Sequence, residues 1–186
     1  MSRWAWLALT GFGVLAVWVR QVGVLPGDAI GLEFLQSHGV PGHSLFTLIG
    51  SIPGIIVLTL VAAWLCREWL RPLPLVAVMA GGSVLEAALK ILIHRERPIE
   101  ASLGFPSGHA IASLTLTLLV VSSIWRALSF WGKVLSVILG ALFVLGVTIS
   151  RAASGLHWPS DIVGGWMVAV AYGIWMIPVV RRSART

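Results

Sequence analysis

The chain has 186 residues, of which 58% are apolar and 11% are charged, and its mean hydropathy is +0.94. Soluble domains carry about 25% charged residues, so this composition excludes an ordinary soluble globule, and it also excludes disorder, which needs low hydrophobicity. The net charge of +6 comes from basic residues scattered among apolar runs, which is not the stripe expected of a nucleic-acid-binding protein. The single cysteine, Cys66, excludes a disulfide framework and a metal site built from cysteines.

Six apolar stretches follow one another along the chain, and each approaches the roughly 20 residues that a transmembrane helix needs. They cover residues 4–19, 45–65, 73–93, 109–125, 133–149 and 161–180. The sequence therefore predicts an all-α integral membrane bundle of six transmembrane helices, formed by one domain over residues 1–186. The first stretch could be a signal peptide, but no small-x-small cleavage site follows Val19, so we predict a retained span. We expect Pro53-Gly54 to break the second stretch.

Residues 22–44, between the first two stretches, are too polar to span a membrane. Ile30, Phe34 and Leu35 could form one apolar face, which predicts a short helix that lies at the membrane interface. The sequence leaves the role of this segment open.

The positive-inside rule gives the orientation, because cytoplasmic loops carry an excess of Lys and Arg. With both termini in the cytoplasm, the basic residues on the cytoplasmic side are Arg3, Arg67, Arg71, Arg126, Lys133, Arg181, Arg182 and Arg185. Those on the outer side are Arg20, Lys90, Arg95, Arg97 and Arg151. All five histidines also fall on the outer side, so the basic residues that oppose the rule need a chemical explanation.

The first candidate motif runs from Lys90 to Pro98. Lys90 and Arg97 are two helical turns apart along one face, or about 10 Å, so both cations can converge on one anion. The alternative is snorkelling at the end of a span, with Glu86 paired to Lys90 at the i,i+4 spacing. We expect Arg95, which lies between the two cations, to be solvated.

The second motif is Pro106-Ser107-Gly108-His109, directly before an apolar stretch. Ser107 is a candidate N-cap, and Gly108 permits a close approach to the backbone. The free N–H groups at a helix N-terminus can bind an anion, which would then lie beside His109. The alternative is an ordinary capped helix start with a histidine at the interface.

The third motif contains Arg151, His157, Pro159 and Asp161. Pro159 suits the first turn of the last helix, which places His157 just before that helix and Asp161 in its opening turns. A carboxylate near a histidine can fix its tautomer and stabilise the imidazolium. The alternative is a solvated loop that contains an incidental ion pair, although charges at the membrane are costly enough to suggest a function.

Together the motifs supply three cations, two histidines, a carboxylate and a helix N-terminus on one side of the membrane. Three cations around a tetrahedral anion indicate phosphate, and two histidines fit one nucleophile and one general acid. The sequence offers no carboxylate cluster for Mg²⁺, so the cations would supply the charge stabilisation that a metal gives elsewhere. We predict no metal site and no cofactor.

The pattern Lys-x6-Arg-Pro, Pro-Ser-Gly-His and Ser-Arg-x5-His-x3-Asp resembles the type-2 phosphatidic acid phosphatase superfamily. That family includes bacterial lipid phosphatases and, more distantly, vanadium haloperoxidases. The three motifs occur in order from Lys90 to Asp161, inside a motif-bearing core that we place at residues 86–165.

The resemblance implies a role for each matched residue. His157 would attack phosphorus and form a phosphohistidine, Asp161 would orient His157, and His109 would protonate the leaving group and then activate water. The phosphate-binding residues would be Lys90, Arg97, Ser107, Gly108 and Arg151.

The resemblance and the predicted topology imply a metal-independent lipid phosphate or diphosphate phosphatase at the outer face of a bacterial cytoplasmic membrane. Undecaprenyl diphosphate is the leading substrate, ahead of phosphatidylglycerol phosphate, phosphatidic acid and lipid A phosphate, because carrier-lipid diphosphates occur on that face. A phosphotransferase that uses the same phosphohistidine, a haloperoxidase and a non-enzymatic lipid-phosphate transporter are the alternatives. We expect membrane lipids but no nucleic acid as partners, and the sequence leaves the oligomeric state open.

Overall fold

The computed structural model describes residues 2–182, which form eight α-helices and no β-strand. The helices are α1 (Arg3–Val22), α2 (Asp28–His38), α3 (His43–Ile49), α4 (Ile52–Leu65), α5 (Pro72–Ile93), α6 (Gly108–Ile124), α7 (Phe130–Ala153) and α8 (Pro159–Val180). The predicted all-α class is therefore confirmed for the described part of the chain.

Four of these helices, α1, α5, α7 and α8, are each long and apolar enough to cross a membrane. The pair α3 and α4 makes a fifth candidate if the two helices form one broken span, since they are bent by 67°. Helix α6 is apolar but has only 17 residues, at the lower limit for a span. The described chain is thus a multi-pass membrane protein with four or five candidate spans, and the sixth span stays a prediction.

The break in the second apolar stretch lies at Gly50-Ser51, so the predicted position at Pro53-Gly54 was wrong. Ser51 caps α4, because its Oγ accepts a hydrogen bond from the Gly54 N–H at 3.2 Å. Pro53 then falls in the first turn, where a helix does not need the missing N–H. This proline starts a helix instead of breaking one.

The short helix predicted within residues 22–44 is present as α2, and its position at the membrane interface stays a prediction. Ile30 and Phe34 are 73% and 58% exposed, whereas Leu35 packs against the protein. The buried side of α2 instead carries Leu32 and, unexpectedly, Asp28. The sequence pattern did not reveal this side because it contains a carboxylate.

Helix α8 is the centre of the bundle and packs against α1, α5 and most extensively α6. The contact with α6 is close because of glycine: a Cβ added at Gly165 would lie 2.6 Å from the Ser107 carbonyl oxygen. The Ser107 N–H also donates a hydrogen bond to the Asp161 carbonyl oxygen at 2.9 Å. The first turns of α6 and α8 are thereby fixed side by side, and these turns carry the second and third motifs.

Candidate active site

The three motifs meet at one end of the bundle. Lys90 lies in the last turn of α5, His109 in the first turn of α6 and Arg151 in the last turn of α7. His157 lies in the connection between α7 and α8, and Asp161 lies in the first turn of α8. Residues that are up to 71 positions apart in sequence therefore face a common region, as the sequence predicted.

The two histidines lie close together with their ring nitrogens largely unoccupied. Their ring centroids are 6.0 Å apart and the rings are inclined by 64°. His157 is fully buried, and among the described residues neither of its ring nitrogens has a hydrogen-bond partner. The Nδ1 of His109 is also buried without such a partner. Because buried polar atoms are normally satisfied, unpartnered ring nitrogens at this site indicate a place for a ligand.

Asp161 lies beside His157 and also begins α8. Its Oδ2 is 3.5 Å from His157 Nδ1, which is an electrostatic contact that is longer than a normal hydrogen bond. The same oxygen accepts a hydrogen bond from the Trp158 N–H at 2.9 Å, closing the first turn of the helix. Since Nδ1 is the ring nitrogen on the Asp161 side, Nε2 is the one free to meet a substrate. Such contacts often tighten only when the substrate is bound.

The surroundings of His157 keep the imidazole neutral. Burial lowers the pKa of His157, Asp161 opposes this effect, and the positive charges of Lys90 and Arg97 add to it. The net result is a pKa below the ordinary value of 6.5. A neutral imidazole is the nucleophilic form of histidine, and the lowered pKa of His157 favours this form at neutral pH.

The predicted phosphate-binding cations all lie at this end of the bundle. Lys90 Nζ pairs with Glu86 Oε1 at 2.6 Å, which is the i,i+4 contact expected under the alternative interpretation of the first motif. Arg97 Nη1 contacts Glu100 Oε2 at 2.8 Å, and Arg151 Nη2 donates to the Thr47 carbonyl oxygen at 2.8 Å. The Nε atoms of both arginines are buried and have no described partner. Each cation therefore keeps hydrogen-bonding capacity for an anion.

The start of α6 contributes an N-terminus, as the second motif predicted. Ser107 is its N-cap, and its Oγ lies 3.5 Å from the Ala110 nitrogen. A Cβ added at Gly108 would overlap the carboxylate of Glu86. Gly108 is thus needed for the approach of a neighbouring helix, whereas its sequence context had suggested only the approach of a ligand.

A cavity of about 540 Å³ leads away from the cations, which is within the usual size range of ligand pockets. Lys90, Arg97 and His109 line it at the polar end. Most of its remaining wall comes from α4 and α5 and includes the apolar residues Ile52, Ile55, Ile56, Leu60, Val76 and Met79. The cavity therefore joins a cationic end to an apolar groove.

Arg95 is not solvated, and this prediction was wrong. It is 5% exposed, and its guanidinium contacts Asp161 Oδ1 and Asp28 Oδ2, each at 2.6 Å. Sequence reasoning also missed Asp28. Two signals were available in the sequence. Arg95 lies on the side of the membrane where the positive-inside rule disfavours arginine, and Asp28 is one of only seven acidic residues in an apolar chain.

A family model described as the PAP2 superfamily matches residues 99–185. The second half of the chain is thus similar to the PAP2 superfamily. This finding confirms the resemblance that the three motifs indicated. The matched segment contains His109, Arg151, His157 and Asp161, whereas Lys90 and Arg97 precede it.

Two curated PAP2-like relatives match parts of the chain. The undecaprenyl-diphosphatase of Sulfolobus acidocaldarius is 36% identical over 73 residues, which cover 38% of this chain and 31% of that protein. Phosphatidylglycerophosphatase B of Escherichia coli is 30% identical over 80 residues, which cover 41% of this chain and 30% of that protein. The matched segments thus span less than a third of either relative.

The fold as a whole resembles a solved PAP2 protein. The crystal structure of a transmembrane PAP2-type phosphatidylglycerolphosphate phosphatase from Bacillus subtilis superposes with a TM-score of 0.83, covering 96% of each chain. The sequence identity is 20%, so this likeness concerns the fold alone.

Proposed function

We propose that the chain is a lipid phosphate or diphosphate phosphatase that works through a phosphohistidine on His157. The observation that carries the proposal is a fully buried His157, whose ring nitrogens have no described hydrogen-bond partner, beside a second histidine and a group of cations. The PAP2 relatives that are named as phosphatases of undecaprenyl diphosphate and phosphatidylglycerophosphate support the same reaction class. Residues 1–186 would act as one domain, with the core of the site at 86–165.

In the first half-reaction, Nε2 of His157 attacks phosphorus while the bond from phosphorus to the lipid oxygen breaks. His109 gives its proton to the leaving oxygen, and Asp161 stabilises the positive charge that develops on His157. Lys90, Arg97, Arg151, Ser107 and the Gly108 N–H would bind the phosphoryl oxygens and offset their growing charge.

In the second half-reaction, His109 takes a proton from water, and the water oxygen attacks the phosphohistidine. The nitrogen–phosphorus bond breaks, which releases inorganic phosphate and restores neutral His157. No metal is assigned to either step, because the cations supply the charge stabilisation.

The shape of the cavity supports a lipid as the substrate. Its cationic end fits a phosphate group, and the apolar groove between α4 and α5 fits part of a hydrocarbon tail. We propose undecaprenyl diphosphate as the leading substrate. The site would face the outside of a bacterial cytoplasmic membrane, with six spans and both termini in the cytoplasm.

The test is phosphate release by the purified protein in detergent with EDTA present. The substrates are undecaprenyl diphosphate, phosphatidylglycerol phosphate and phosphatidic acid. We expect release from at least one lipid by the wild type and loss of at least 10³-fold in His157→Ala, because the nucleophile is gone. The matched control is His38→Ala, which removes an exposed histidine of α2 and should retain wild-type activity.

Additional measurements distinguish the proposed phosphatase from the three alternative functions. A phosphotransferase would label an added acceptor lipid in place of water, and a haloperoxidase would oxidise bromide after loading with vanadate. Binding of lipid phosphate without turnover would indicate the transporter. A folded wild type that releases no phosphate from any lipid contradicts the proposed hydrolysis, and activity that disappears with EDTA contradicts the metal-independent mechanism.

A further inference from the structure

Arg95 joins two buried carboxylates from distant parts of the chain. Its Nη1 donates to Asp161 Oδ1 at 2.6 Å, and its Nη2 donates to Asp28 Oδ2 at 2.6 Å. Both carboxylates are at most 3% exposed. Charge-assisted hydrogen bonds of this length are strong and directional. The guanidinium therefore fixes one oxygen of the carboxylate that lies beside His157.

Asp28 is itself held from two sides. Its Oδ1 accepts the Ser160 N–H at 2.9 Å, and its Oδ2 accepts the Ser160 hydroxyl at 2.7 Å and the Leu25 N–H at 3.1 Å. Burial opposes the charge on Asp28, but the bonds from Ser160, Arg95 and Leu25 outweigh it and lower its pKa. Asp28 is thus an ionised residue that ties α2 to the first turn of α8.

The positive charge of Arg95 is shared between Asp28 and Asp161, which affects the interaction of Asp161 with His157. A buried cation needs a counter-charge, and removing one partner leaves the other unpaired. With Asp28 present, Arg95 does not depend on Asp161 alone for neutralisation. Asp161 can then direct Oδ2 and its remaining charge toward His157 Nδ1, at 3.5 Å.

We propose that Asp28 and Arg95 are positioning residues, which hold Asp161 so that it orients and stabilises His157 during phosphoryl transfer. This inference rests on the proposed function. Both Nη atoms of Arg95 and both carboxylate oxygens of Asp28 are already hydrogen-bonded within this cluster, so neither residue is expected to contact the phosphate. Losing them should therefore slow the chemical step and leave the binding of the anion intact.

The first experiment compares Asp28→Asn with Glu33→Gln in steady-state phosphate release. Glu33 lies on the same helix, is exposed and has no hydrogen bond or ion pair among the described residues, so it is a matched control for removing one negative charge. We expect Asp28→Asn to lower kcat about 10- to 100-fold, as is typical when an outer hydrogen-bond partner is lost, with KM changed less than threefold. Glu33→Gln should match the wild type.

The second experiment tests whether Asp28 acts through Arg95. Arg95→Lys keeps the charge but cannot contact both carboxylates in the same geometry, so kcat should fall as in Asp28→Asn. The double variant should lose no more than the Arg95→Lys variant, because the two residues form one path. Ser160→Ala removes a neutral contact of Asp28 and should give a smaller fall in kcat. If Asp28→Asn does not fold, this variant tests the same path from Asp28 through Arg95 to Asp161.

Anion binding supplies a readout that does not depend on turnover. Binding of orthophosphate depends only on the cations. Orthovanadate can also bond to His157 Nε2, in an arrangement that resembles the transition state, so its affinity depends on the orientation of His157 as well. Asp28→Asn should bind phosphate as the wild type does and bind vanadate at least tenfold more weakly.

The outcomes separate this inference from the proposed function. Selective weakening of vanadate binding supports the positioning role even if the wild type hydrolyses no lipid, a result that would contradict only the proposed function. Unchanged kcat and unchanged vanadate affinity in folded Asp28→Asn and Ser160→Ala would overturn the positioning role. Equal losses of phosphate and vanadate binding would also overturn it, because they indicate a general structural effect.

Discussion

At the scale of single residues, the low pKa of His157 has a consequence for pH dependence. Burial lowers this pKa below 6.5, and Asp161 partly raises it again. His157 attacks only when neutral, so the nucleophile is lost as the pH falls through this lowered value. We expect the acid limb of kcat/KM to lie below pH 6.5, as measured in a pH series with a single lipid substrate.

Asp161→Asn provides the control for this prediction. The variant removes the group that raises the pKa of His157, so the acid limb should move further toward low pH while kcat falls. Because the substrate is unchanged, its own titration cannot produce the difference between the two profiles. An acid limb that stays in place in Asp161→Asn would contradict the assignment of this limb to His157.

The residues proposed to contact the phosphate could be identified from sequence, but the proposed positioning residues could not. Lys90, His109 and His157 occur in motifs whose short spacing sets their geometry on helix ends. Asp28 and Arg95 are 67 positions apart and have no local spacing to connect them. Their contact depends on how α2 packs on α8, which is a tertiary property.

At the scale of helices, the contact between α6 and α8 depends on a glycine without a side chain. In Gly165→Ala, the new Cβ would lie 2.6 Å from the Ser107 carbonyl oxygen and 2.7 Å from the Ala110 Cβ. The backbone of α6 cannot rotate away from the new Cβ, so we expect a loss of about 1–3 kcal/mol in stability. We also expect a lower kcat, because separating the two helices moves His109 away from His157. Thermal unfolding and phosphate release measure the two effects.

Gly13→Ala is the matched control in another helix. A Cβ added at Gly13 meets no heavy atom within 4 Å, and alanine is the better helix former by about 1 kcal/mol. This variant should unfold at the same temperature as the wild type or at a slightly higher one. If Gly165→Ala and Gly13→Ala unfold at the same temperature, close packing at Gly165 does not limit stability.

Helix positions followed from the hydropathy of the sequence, whereas the breaks between helices did not. The six apolar stretches all became helical, because long apolar runs in this composition have no other stable form in a membrane. The start of α4 was misplaced because a proline suits the first turn of a helix as well as a break. Ser51, a good N-cap residue, was the signal that could have located it.

At the scale of the whole molecule, the span count depends on α6. With 17 residues and a rise of about 1.5 Å per residue, α6 is somewhat shorter than the roughly 30 Å hydrocarbon core. If α6 crosses, the connection after it lies on the side opposite the candidate active site. Labelling of introduced cysteines with a membrane-impermeant maleimide tests this prediction.

The experiment uses two exposed positions in a Cys66→Ser background. Ser37→Cys lies on α2 near the candidate site and should label from outside intact cells. Ala127→Cys follows α6 and should label only after permeabilisation. Labelling of both positions from outside would refute a sixth span, and labelling of Ser37→Cys only after permeabilisation would reverse the orientation.

The placement of His109 relative to His157 also determines the stereochemistry of the proposed reaction. A single histidine serves as the acid for the departing lipid oxygen and as the base for the incoming water, so both oxygens must occupy the same side of phosphorus, opposite His157. Each in-line displacement inverts the configuration at phosphorus. Two successive inversions restore it, and the transferred group keeps its original handedness.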